Sequence, residues 1–128
     1  MTDVTRGVIA GIGSGSKAHL TTIYTSGEKT FIRESRCGSV KSSGWSKSRT
    51  YGLGVEGPAF ELSQEPRWPS KDSENYEAEL AAFHATRLTI WAAHNKAEFA
   101  LVPEFLNQAN ACSKCIKHAE WLAEKLAA

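Results

Sequence analysis

Three cysteines carry the clearest chemistry in this 128-residue chain. Cys112 and Cys115 form a Cys-Ser-Lys-Cys pair at the start of a helical pattern, and Cys37 stands before Gly38, seventy-five positions before Cys112. A Cys-x-x-Cys at a helix start aims both sulfurs the same way, and the N–H groups of the first turn favour their charge. Two sulfurs do not complete a tetrahedral site. Cys37 supplies a third donor, and the histidines His19, His84, His94 and His118 are candidates for the fourth. Such a set would hold a structural zinc ion. Without a metal, the three cysteines would be small buried core residues.

His118 lies one helical turn beyond Cys115, so its ring can reach the same side. That choice crowds three ligands onto one turn and leaves His19 without a role. His19 is therefore the fourth ligand of choice, with His118 as the alternative.

Catalytic patterns are incomplete. His118-Ala-Glu120 has the His-x-Glu of a zinc deaminase, but it follows the cysteines instead of preceding them on a separate helix, and Ala111 replaces the expected proline. A redox Cys-x-x-Cys lacks its βαβ context. His19 beside Cys37 loosely fits a thiolate nucleophile with its base. Gly11-Ile-Gly-Ser-Gly15 has neither dinucleotide nor P-loop spacing.

The donors must be positioned by strands and helices. His19–Thr25 and Lys29–Ser35 are rich in β-branched and aromatic residues, and Ser26-Gly27-Glu28 separates them as a turn. In that antiparallel hairpin, opposed residue numbers sum to about 55 or 56. His19 then faces Arg36 or Cys37, within the roughly 5 Å over which cross-strand neighbours can share a metal.

Residues 38–48 read as a polar loop and 50–55 as a short strand, while the prolines between Pro58 and Pro69 argue against helix and regular sheet. Asp72-Ser73 is expected to cap a core helix that buries Tyr76, Leu80, Phe83, Leu88 and Trp91 and runs to about Asn95. Residues 99–102 extend it or form a strand, and Pro103 opens a further helical turn. The last helix, from Cys112, buries Ile116, Leu122 and Leu126, with Trp121 at its edge.

The resulting expectation is an α+β fold. Residues 1–16 form a flexible N-terminal segment, and 17–128 form one zinc-stapled domain whose N-terminal antiparallel hairpin packs on two longer C-terminal helices. The zinc site has a treble-clef or zinc-ribbon layout.

An apolar share of 41% and a charged share of 23% suit a globular domain. No apolar run approaches the roughly 18 residues of a membrane span. Met1–Ser16 carries Asp3 and only a Val8-Ile9-Ala10 apolar core, so it does not read as a signal peptide. With an odd cysteine count, that points to thiols in a reducing cytoplasm.

The net charge of +1 divides unevenly: residues 1–56 hold eight Lys/Arg against four Asp/Glu, and the remainder seven against ten. Arg33, Arg36, Lys41 and Arg49 could meet phosphates, though a basic stretch is more often a solvated face. Trp45, Tyr51 and Trp68 lie in polar surroundings, as lids over the core or as partner contacts.

Lys-Ala-His19-Leu, the hairpin, Arg-Cys37-Gly and Ala-Cys112-Ser-Lys-Cys115-Ile-Lys-His together resemble short proteins of actinobacteria and their bacteriophages. Those show a His-Leu strand, a Thr-Leu-Cys-Gly and a Cys-x-x-Cys-Leu helix. The similarity covers the two ends and leaves 41–110 uncovered, and Ser35-Arg36 stands where Thr-Leu is usual. It implies a metal site in a small cytoplasmic protein, in the host cytoplasm if phage-encoded. The chain thus reads as a non-enzymatic, zinc-stabilised binding module, such as a phage-encoded modulator of a host protein. Its alternatives are a nucleic-acid binder using residues 29–49 and a cysteine-dependent enzyme.

Overall fold

Val8, Ile9 and Ala10 are all buried because the strand that carries them is covered on both faces. In the computed structural model, which describes residues 3–11, 17–26, 29–38 and 52–126, this strand is β1 (Asp3–Gly11). The other strands are β2 (Ala18–Ser26), β3 (Lys29–Ile32), β4 (Gly52–Glu56) and β5 (Phe60–Leu62). They form one five-stranded antiparallel sheet in the order β3-β2-β1-β4, with β5 also paired to β1. The helices are α1 (Tyr76–Phe99), α2 (Val102–Leu106) and α3 (Ser113–Leu126). The class is α+β, as expected.

Two expectations are corrected. Residues 3–11 belong to the middle of the sheet, not to a flexible segment. Their run Gly7-Val8-Ile9-Ala10 suits a strand covered on both faces there, while Asp3 to Arg6 alternate between buried and more exposed positions. Phe60–Leu62 also joins the sheet despite the surrounding prolines, because its three residues fit between Pro58 and Pro66. The hairpin has the predicted register: Ile23 faces Ile32 and Ser26 faces Lys29, both summing to 55.

Helix α1 starts at Tyr76, beyond the expected Asp72-Ser73 cap, and Asn75 at the N-cap makes no side-chain capping bond. Ser73 instead accepts from the Asn75 amide at 3.3 Å and donates to Glu79 at 2.9 Å. The buried stripe of α1 is Phe83, Ile90, His94, Ala97 and Glu98. Leu88 and Trp91, expected inside, are 64% and 46% exposed. Only the C-terminal half of this helix lies closely on the sheet, and at that end the face is set by what β1 can accept.

Gly7 allows the approach. A Cβ there would collide with the Ala97 carbonyl oxygen and press Leu101 at 3.2 Å. Gly7→Ala must push α1 off the sheet, and we expect a loss of about 2–3 kcal/mol in denaturant unfolding. An unchanged midpoint would show that the helix can slide freely. In α3, Leu122 and Ala119 are fully buried while Leu126 is 36% exposed and Ile116 only partly covered, so Leu126 does not join the core as expected.

Candidate metal centre

The metal donors meet where β2 begins. Beyond Ile23, β3 no longer pairs with β2 in the ladder, which leaves that edge of Ala18 open. Residues 110–112 take the place. The Ala18 amide donates to the Asn110 carbonyl at 2.9 Å, and the Cys112 amide donates to the Ala18 carbonyl at 2.8 Å. These two bonds fix Cys112 beside His19. The Cys112 carbonyl then accepts from the Ile116 amide at 2.9 Å, so Cys112 sits where α3 starts and Cys115 lies within its first turn.

Cys37 arrives by a tight turn. After the Arg33 amide bonds the Thr22 carbonyl at 2.9 Å, the chain leaves the ladder, and the Gly38 amide closes back on the Ser35 carbonyl at 2.9 Å. Gly38 has φ 78°, in the left-handed region where a side chain is strained. The turn places Cys37 Sγ 3.2 Å from His19 Nδ1, and Cys115 Sγ lies 3.7 Å from that nitrogen and 3.6 Å from Cys37 Sγ.

The donor atoms of His19, Cys37, Cys112 and Cys115 all lie within 4.8 Å of one another. This compact group of one histidine and three cysteines is placed to bind a metal ion. Cys115 and Cys112 are buried, Cys37 is half-buried, and the Ser35 hydroxyl stands 3.1 Å from Cys37 Sγ, where it can donate to a thiolate. Burial pushes the Cys115 thiol up to about 12, with the nearby Cys37 adding to the effect and a bond from the Leu20 amide opposing it. A divalent cation reverses this balance, because it replaces the protons and neutralises the thiolate charge inside the protein.

His118 does not join the group. Its Nε2 lies 2.8 Å from Glu98 Oε2, and Trp121 stacks along its ring at 6.0 Å between centroids. Glu98 Oε1 in turn faces Arg33 Nη1 at 3.7 Å. Arg33 is thus engaged by Glu98 through Nη1, while Arg36 is exposed. Trp68 stacks on Phe83 at 4.4 Å yet remains 69% exposed. Trp45, Tyr51, Lys41 and Arg49 lie outside the described residues.

Sequence reading did not single out Glu98 or the pairing of His94 with Thr5 and Thr22, at 2.8 and 3.3 Å. Their signal was available: His94 and Glu98 are one turn apart and flank Ala97 on the buried stripe of α1. A polar residue in such a stripe needs a buried partner.

No family model matches the chain, and neither a curated protein nor a solved structure matches it.

Proposed function

We propose that the group formed by His19, Cys37, Cys112 and Cys115 holds one structural zinc ion, and that the domain it staples is a non-enzymatic binding module. The observation that carries the reading is the convergence of one imidazole and three sulfurs within 4.8 Å, from three separate parts of the chain. Zinc suits this donor set because it accepts tetrahedral sulfur and nitrogen ligation without redox chemistry. Four protein ligands leave no open position, which is the arrangement of a structural site rather than a catalytic one.

The layout is of the treble-clef or zinc-ribbon kind: a knuckle after a hairpin faces a Cys-x-x-Cys at a helix start. The free thiols Cys37, Cys112 and Cys115 suit a reducing compartment such as the cytoplasm, of the host if the chain is phage-encoded. No helix among the described residues is long and apolar enough to cross a membrane. The partner would be a host protein or a second copy of this chain, and the exposed Trp68 supports such a contact.

One observation favours a second reading, a cysteine-dependent enzyme: His19 Nδ1 is within 3.2 Å of Cys37 Sγ, a distance that also suits a nucleophile and its base. Cobalt substitution separates the two. The zinc reading expects one equivalent of Co(II) per chain, intense sulfur-to-cobalt charge transfer, tetrahedral d–d bands and Cys37 protected from alkylation. A chain that takes up no metal and alkylates fastest at Cys37 would favour the enzyme. Nucleic-acid binding has less support: Arg33 and Arg36 do not form an extended basic surface with other described residues, and Arg33 is partly neutralised by Glu98.

A further inference from the structure

At the end of β2 remote from the metal centre, α1 and the sheet do not close on each other. A groove of about 710 Å³ lies between them, in the size range of small-molecule sites. Tyr24, Leu88, Ile90 and Trp91 give it apolar walls, and Arg33, His94 and Asp3 give it polar points. Leu88 and Trp91 are 64% and 46% exposed because they border this groove, while Ile90 and His94 on the same helix are buried.

Two of the polar groups have unspent hydrogen-bonding capacity. His94 is 5% exposed, and its Nδ1 is taken by Thr5 and Thr22. Its Nε2 has no partner among the described residues. Burial, with the charge of Arg33 a smaller cause, holds His94 down to about 3, so the ring is neutral. Arg33 uses Nη1 alone, towards Thr22 at 3.4 Å and Glu98 at 3.7 Å. Its other guanidinium N–H groups have no partner among the described residues. The buried His94 nitrogen and the half-buried Arg33 donors are satisfied by a ligand or by water.

The polar groups also set a length. Arg33 lies against Thr22, and Asp3 accepts from Ser26 at 3.1 Å. Thr22 and Ser26 are four residues apart on β2, which is about 13 Å along a strand. The cation and the carboxylate therefore stand at opposite ends of an apolar wall. Arg33 is already shared with Glu98, and the other guanidinium on the groove, that of Arg87, is paired with Glu65 at 3.3 Å, so the groove suits a monoanion better than a dianion. A carboxylate can take the free N–H groups of Arg33 as a bidentate pair.

We propose that this groove binds a small, elongated aromatic carboxylate, with its carboxylate on Arg33, its ring against Tyr24 and Trp91, and a hydroxyl or amino group donating to Asp3. The site goes beyond the zinc reading and shares no residue with the metal-ligand group, so zinc content is a separate readout.

The test titrates 3-(4-hydroxyphenyl)propionate into the full chain as purified, followed by tryptophan fluorescence and by the Trp91 indole resonance. A dissociation constant of about 0.1–1 mM is expected for a ligand of this size. The neutral amide analogue and inorganic phosphate should each bind at least about ten-fold more weakly, since neither combines the monoanion with the ring. Trp91→Ala and Leu88→Asp alter exposed positions and should fold normally, with affinity lowered about ten-fold or more. Arg33→Gln should do the same while keeping one zinc per chain. Absence of saturable binding, equal affinity for the amide or for phosphate, or unchanged affinity in Trp91→Ala and Leu88→Asp would each overturn the proposal.

Discussion

The Cys115→Ser chain is expected to purify without zinc and to melt about 15 °C or more below the parent, a loss of roughly 5 kcal/mol or more. Cys115 is fully buried and lies within 3.7 Å of both His19 Nδ1 and Cys37 Sγ, so its sulfur is central to the group. The metal would tie together the start of β2, the turn after β3 and the start of α3. Those segments are otherwise joined locally by few bonds, the two at Ala18 among them. Without the metal the native state loses the free energy of binding it, and the variant keeps two thiols and a serine hydroxyl in the group with no cation.

Stripping zinc from the parent with a chelator should reproduce the loss. His19→Ala should lower zinc affinity far more than His118→Ala, whose ring is committed to Glu98. Calorimetry with metal analysis checks both points. A metal-free protein melting within a few degrees of the loaded one, or Cys115→Ser retaining a full equivalent of zinc, would refute the structural-metal reading.

The second large effect concerns Glu98. Glu98→Ala is expected to cost about 3–5 kcal/mol while leaving the zinc content at one per chain. The residue is 5% exposed, and its carboxylate holds His118 at 2.8 Å and Arg33 at 3.7 Å. Removing it leaves the Arg33 guanidinium half-buried without a counter-charge, His118 without its partner and a void between α1 and α3. Glu98→Gln keeps the volume and one hydrogen bond, so it should cost less. In the Glu98→Ala background, His118→Ala should add little, because the bond it would break is already gone. Urea unfolding of the four chains checks the cycle. A cost below about 1 kcal/mol for Glu98→Ala would mean that water replaces the carboxylate.

Both effects separate what one-dimensional reading captures from what it does not. The sequence by itself singled out the three sulfurs and ranked His19 ahead of His118 as the fourth donor. Cys-x-x-Cys is a local spacing that a helix start converts directly into two converging sulfurs. The hairpin register follows from a short turn, because opposed residues must sum to a constant; this brought His19 level with Arg36 and Cys37. The α+β class likewise follows from strand-like residues early in the chain and helical spacing late in it.

Tertiary structure alone decided the rest. Residues 3–11 were expected to be flexible because they run into a Gly/Ser stretch and their apolar run is short, and the strand's identity emerges only when β2, β4 and β5 flank it. The face of α1 was misread because Leu88 and Trp91 mark the apolar stripe by residue type, whereas contact with β1 at Gly7 sets it by position. That contact turns Ala97 inward and carries His94 and Glu98 into the interior, where Thr5, Thr22, His118 and Arg33 meet them. It also leaves Leu88 and Trp91 along the groove. Pairing across 20 to 89 residues depends on where whole elements pack, and no local spacing encodes that.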